Sequence, residues 1–142
     1  MKIVHIMTRL ILGGAQENTL ITCKLLAERG HDVTLITGPA LGPEGQMFRE
    51  TEGQKYKTIV VDKMRRAIKP VYDIVSYAQI KKILAEIQPD IVHTHSSKAG
   101  ILGRIAAKTG HLFRVPFLRR PDRLGVSLHA TQQGPQMAGK TL

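Results

Sequence analysis

The first 37 residues leave little freedom in how this chain folds. Lys2 to Met7 (KIVHIM) is a short apolar run rich in β-branched residues, the pattern of a buried strand. The glycine turn Leu12-Gly13-Gly14 follows. Thr19, Leu20, Cys23, Leu26 and Ala27 then recur at helical spacing on one face. Gly30 supplies a C-terminal stop, and Val33 to Thr37 (VTLIT) repeats the buried-strand pattern. Strand, glycine turn, helix, glycine and strand form a βαβ unit, with parallel strands and a right-handed crossover.

The remaining chain extends that unit. Gly38 to Gly45 holds three glycines and two prolines and reads as loop; Met47 to Glu52 suits a short helix. Tyr56 to Val61 reads as a third strand. Lys63 to Lys69 is a basic connector ended by Pro70, at the first turn of a helix reaching about Gln88. Val71, Ile74, Val75, Ala78, Ile80, Ile83, Leu84 and Ile87 form its expected apolar side. Pro89-Asp90 opens a fourth strand, and a helix after the polar turn runs to about Lys108. Leu112 to Leu118 fits a fifth strand, which Pro116 confines to an edge. The expected fold is α/β, a single Rossmann-like domain over residues 1–118. Its mostly parallel sheet runs in the order 3-2-1-4, with a short fifth strand at the edge. Residues 119–142 show neither helical nor strand period and read as a basic, poorly ordered tail.

Bulk properties narrow the function. At 142 residues the chain is one domain's worth, and no run approaches the ~18 apolar residues of a membrane span. His5 and Arg9 interrupt what would be the apolar core of a signal peptide. The lone Cys23 excludes an internal disulfide and reads as a small core residue in a reducing, cytoplasmic setting. The net charge of +10 is concentrated late: residues 98–142 hold 8 Lys+Arg and 1 acid. Such a balance fits nucleic acid, an anionic membrane or phosphorylated ligands. The three Phe, three Tyr and absent Trp give no aromatics interleaved with cations, so nucleic acid is not the expected partner. Lys63, Arg65, Arg66 and Lys69 before an amphipathic helix read either as a solvated connector or as peripheral contact with anionic lipid.

Chemistry gathers in Pro89 to Arg104 (PDIVHTHSSKAGILGR). A strand ends there and a helix begins, at the edge where open α/β sheets bind ligands. His95 stands at the strand's end as a hydrogen-bonding group for a cleft. His93 points to the same face but sits deeper and reads as structural. Ser96, Ser97 and Lys98 suit binding of hydroxyls or phosphate, while Ser96 or Ser97 also suits the helix cap. Two histidines fall short of the three or four ligands of a zinc site, so no metal is expected. Gly13 and Gly14 let backbone approach a ligand at a helix N-terminus, or simply make a tight turn. Neither G-x-G-x-x-G nor a P-loop is present.

His5 to Gln16 (HIMTRLILGGAQ) and the 89–104 segment together resemble glycosyltransferase family 4, retaining sugar transferases of the GT-B fold. The resemblance covers about residues 1–110 and corresponds to the N-terminal, acceptor-side half. It implies a nucleotide-sugar donor, a hydroxyl acceptor (glycan or lipid-linked) and metal-independent transfer without a cofactor. It places Gly13 and Gly14 near the donor diphosphate, and His95, Ser96, Ser97 and Lys98 in the acceptor cleft. The family's second domain and its E-x₇-E motif have no counterpart, since Glu44 and Glu52 reproduce that spacing in the wrong half. Arg119-Arg120-Pro121 stands where the family usually has His-Gly. We therefore expect a truncated or frame-shifted transferase half that is inactive alone, served by no catalytic residue of its own. The alternative is a non-catalytic module that binds glycan, anionic lipid or a separate donor-domain subunit.

Overall fold

The computed structural model describes residues 1–39, 45–109 and 117–119. The chain alternates strands and helices. The strands are β1 (Lys2–Met7), β2 (Asp32–Thr37), β3 (Lys57–Val60), β4 (Ile91–Thr94) and β5 (Phe117–Arg119). The helices are α1 (Gly14–Glu28), α2 (Gly45–Arg49), α3 (Pro70–Ile87) and α4 (Ser97–Thr109). All strand pairs are parallel, in the order β3-β2-β1-β4-β5. The α/β reading and the 3-2-1-4 order hold. The described part of the fifth strand includes Arg119, expected to belong to the tail, which pairs with Thr94, and residues 112–116 of the expected strand lie outside the described residues. The expected tail beyond Arg119 lies outside the described residues.

Two cores sandwich the sheet. On one face Ile3, Met7, Val33 and Leu35 pack with Leu20, Cys23 and Ala27 of α1 and with Met47 and Tyr56. On the other, Val4, Ile6, Ile36 and Val92 pack with Ile80 and Leu84 of α3 and Leu102 and Ala106 of α4. Cys23 is fully buried and its thiol is pushed up to about 12 by desolvation, so it is protonated packing material rather than a nucleophile.

Gly30 performs the stop assigned to it. It adopts φ +88, and its N–H and that of His31 close on the carbonyls of Ala27 and Leu26 at 3.0 and 3.2 Å. Gly38 is required for a different reason. A Cβ there would stand 2.2 Å from the Met64 carbonyl oxygen and 2.5 Å from that of Thr8, where three chain segments converge.

One expectation fails on α3. Its buried residues are Ser76, Ile80 and Leu84, with Tyr77, Ile83 and Ile87 packed alongside. Val71 and Ile74 are 69% and 67% exposed, and Val75 is exposed too. The helix is apolar around more than one face, so periodicity could not choose the face that α4 and the sheet would cover.

Candidate functional site

The carboxyl ends of β1 and β4 lie side by side, with Ile3 opposite Ile91, His5 opposite His93 and Ile6 opposite Thr94. Ser96 joins the two ends. Its Oγ accepts from the N–H groups of Thr8 (3.3 Å) and Ala99 (3.4 Å), and lies 2.5 Å from Thr8 Oγ1. With two donors already pointing at it, the Ser96 hydroxyl gives its own proton to Thr8. The expected capping role is therefore real, and Ser96 is a staple between β1 and the start of α4. His95 N–H extends the join by donating to the Ile6 carbonyl at 2.9 Å.

Beside this staple lies a cleft of about 760 Å³, within the range of small-molecule sites. His95, Ser96, Ser97 and Lys98 all line it, as do Arg9, Gln16 and Arg66. Its apolar wall is Ile11, Ile68, Ile101 and Leu102. Lys98 reaches across to α3, where Nζ lies 2.7 Å from Asp73 Oδ1 and also donates to the Ala67 carbonyl. Its charge is thus balanced from within the protein. Gly13 caps α1 and Gly14 opens it, and neither lines the cleft, whose wall includes Gln16 two residues further on. Gly13 is extended (φ 171) and makes no side-chain cap. A second cavity of about 410 Å³ shares Arg9 and Arg66 with the first and adds Arg65, Lys69 and Tyr72. The Nε of Arg65 is buried there with no hydrogen-bond partner among the described residues.

Sequence reasoning missed the third histidine. His5 is 1% exposed, in the middle of β1, with Nδ1 2.8 Å from His95 Nε2. Its ring centroid is 5.1 Å from that of His95 and 5.2 Å from that of His93, while His93 and His95 are 4.2 Å apart. Thr19 of α1 completes the group, 3.2 Å from His95 Nδ1. Thr19 Oγ1 donates its single proton to the Ala15 carbonyl at 2.8 Å, so it accepts from His95 Nδ1–H. His95 Nε2 is then the acceptor for His5 Nδ1–H, which leaves a bare lone pair on His5 Nε2. Burial, and next the neighbouring His93, push the His5 imidazole down to about 4, so it is neutral near pH 7. A lone histidine inside an apolar strand was the available signal for it.

Comparison with known proteins bears on this geometry. The sequence profile of Glycosyltransferase Family 4 matches residues 12–133. The chain belongs to that family. It is 36% identical over 107 residues to UDP-Gal:alpha-D-GlcNAc-diphosphoundecaprenol alpha-1,3-galactosyltransferase of Escherichia coli, covering 75% of this chain and 26% of that enzyme. Acinetobacter baumannii MurG shares the fold at a TM-score of 0.61 with 20% identity, over 82% of this chain and 34% of MurG. UDP-GlcNAc 2-epimerase of Methanocaldococcus jannaschii does so at 0.56 and 17%, over 87% and 33%. Anabaena HepE, solved with UDP and glucose, does so at 0.54 and 17%, over 82% and 28%. The chain thus spans roughly a quarter to a third of the relatives it matches. These residues form a Rossmann-like unit of the kind that GT-B glycosyltransferases contain, as the sequence resemblance implied. Since transferases and an epimerase share this fold, family membership rests on the sequence match rather than on shape.

Proposed function

We propose that this chain is the acceptor-side half of a retaining, nucleotide-sugar-dependent glycosyltransferase whose acceptor is a sugar diphosphate carried on a lipid. The observation behind this reading is the two-sided cleft, basic where it shares Arg9 and Arg66 with the neighbouring cavity and apolar along Ile68, Ile101 and Leu102. A diphosphate suits the first wall and an isoprenoid the second. The named Escherichia coli relative uses an acceptor of that chemistry. Ser97, exposed at the rim of the cleft, suits a sugar hydroxyl, whereas both ring nitrogens of His95 are already engaged by Thr19 and His5. The N–H groups at the start of α1, at Gly13 and Gly14, suit a donor diphosphate.

A lipid-linked acceptor has to be met at a membrane surface. Among the described residues no helix is long and apolar enough to cross one. A peripheral contact suits the exposed row Ile68, Val71 and Ile74 beside Lys63 and Lys69, whose ammonium groups each lie 5.1 Å from the Tyr72 ring centroid. Such a protein would work from the cytoplasmic face, where anionic lipid is available. Transfer itself needs a donor-binding partner domain, so the 142 residues alone should turn over no nucleotide-sugar above background.

The test is direct binding of GlcNAc-diphosphate on a short alkyl chain, beside the same alkyl chain ending in a hydroxyl. The diphosphate compound should bind, and Arg66→Ala should weaken it at least tenfold, the usual worth of a charged hydrogen bond. Equal affinity for the two compounds, or indifference to Arg66→Ala, would sink the reading.

A further inference from the structure

Three imidazoles converge at the carboxyl edge of β1 and β4, and the proposed transfer uses none of their ring nitrogens. One ring nitrogen from each of His5, His93 and His95 lies within 4.8 Å of the other two. Ligand nitrogens on a tetrahedral Zn²⁺, each at 2.0–2.1 Å from the ion, are roughly 3.4 Å apart. The His5–His95 pair at 2.8 Å would have to open by about half an ångström. His93 would have to close by rotation of a half-buried ring.

We propose that His5, His93 and His95 form a binding site for a borderline transition-metal ion, Zn²⁺ being the model case, with Thr19 as its positioning residue. The donor set is all imidazole, which suits Zn²⁺, Cu²⁺ and Ni²⁺ and excludes the oxygen-seeking Mg²⁺ and Ca²⁺. Thr19 Oγ1 accepts from His95 Nδ1–H, which fixes the tautomer and turns Nε2 inward, the usual support behind a metal-bound histidine. The ion replaces the proton shared by His5 Nδ1 and His95 Nε2. That proton moves to His5 Nε2, which has no hydrogen-bond partner among the described residues, so the exchange gives up only the His5–His95 hydrogen bond. His5 is sealed in the core, whereas His93 and His95 are half-buried and give the ion a way in. Three protein ligands leave one coordination position for water. The bound ion would tie β1 to β4. This inference goes beyond the sugar-transfer reading, and no step of transfer is routed through the ion.

The experiment uses the full chain without a histidine tag, stripped with EDTA, desalted and titrated with Zn²⁺ against a chromophoric chelator. One Zn²⁺ per chain is expected, with an upward shift of the thermal melt. His93→Gln and His95→Gln, at half-exposed positions that should fold, should each remove the site. Thr19→Val should weaken it by about tenfold. Co²⁺ should give the visible spectrum of a tetrahedral nitrogen site, lost in both glutamine variants. No uptake at an equimolar dose, or binding that survives both His93→Gln and His95→Gln in folded protein, would overturn the proposal.

Discussion

β1 and β4 send alternate residues to opposite sides of one sheet, and the two sides are built differently. Toward α3 and α4 they present Val4, Ile6 and Val92, which join Ile80, Leu84, Leu102 and Ala106 in an apolar core. Toward α1 they present Ile3 and Met7 with His5 between them, and Ile91 followed by His93 and His95. The period of two lets one strand serve both ends. Its hydrocarbon face carries stability, and its histidine face carries polar groups whose burial has to be offset by a hydrogen-bond chain through Thr19. If this division is right, the two faces should respond to different perturbations.

The largest effect belongs to the apolar face. Leu84 is fully buried against the sheet, and its truncation removes contacts that α3 cannot restore without moving on α4. Leu84→Ala should cost about 3 kcal/mol in urea unfolding of the full chain, with little dependence on pH. A loss under ~1 kcal/mol would mean that this face is not the stabilising one.

The histidine face should instead be sensitive to acid. His5 titrates near 6.5 when unfolded and at about 4 when folded. Between those values the unfolded chain binds the proton and the folded chain does not. Stability is therefore full above pH 6.5 and falls as the pH drops toward 4, by up to ~3 kcal/mol. His5→Leu keeps the side chain buried and removes the titration. In EDTA, to keep metal away, unfolding followed from pH 7 to 4 should be steeper for the unaltered chain than for His5→Leu. Parallel pH profiles would show that His5 is not the source of acid sensitivity.

The same contrast explains what could be read from the chain alone. Strands β1 and β2, the Gly30 stop and the 3-2-1-4 order follow from local period and punctuation, signals confined to a few neighbouring residues. The cleft segment was visible because His95, Ser96, Ser97 and Lys98 are consecutive. His5 was not, because its partner His95 is 90 residues away and their meeting depends on the register that sets Ile3 against Ile91. The strand order already put β1 beside β4, so matching residue parity across that pair would have brought His5 to His93. The Lys98–Asp73 pair was hidden for a related reason, since it depends on how α3 crosses α4. The exposed row on α3 was misplaced because hydropathy says which residues avoid water, not which face finds a neighbour.

That row gives the smallest effect on stability and the sharpest division of roles. Val71 and Ile74 are as apolar as Leu84, sit on the same helix and touch no core. Serine has about the helix propensity of valine and isoleucine, so Val71→Ser with Ile74→Ser changes the surface and little else. Unfolding free energy should shift by no more than about 0.5 kcal/mol. Sedimentation with anionic vesicles should fall severalfold, while binding to neutral vesicles stays low. A drop of ~2 kcal/mol in stability would place the row in a core and withdraw it from the membrane. Unchanged vesicle binding in a stable variant would leave Ile68 with Lys63 and Lys69 as the contact, and the share that high salt abolishes would belong to the lysines. A fall in binding that persists at high salt would show instead that hydrocarbon on α3 enters the bilayer surface, doing outside the fold what Leu84 does within it.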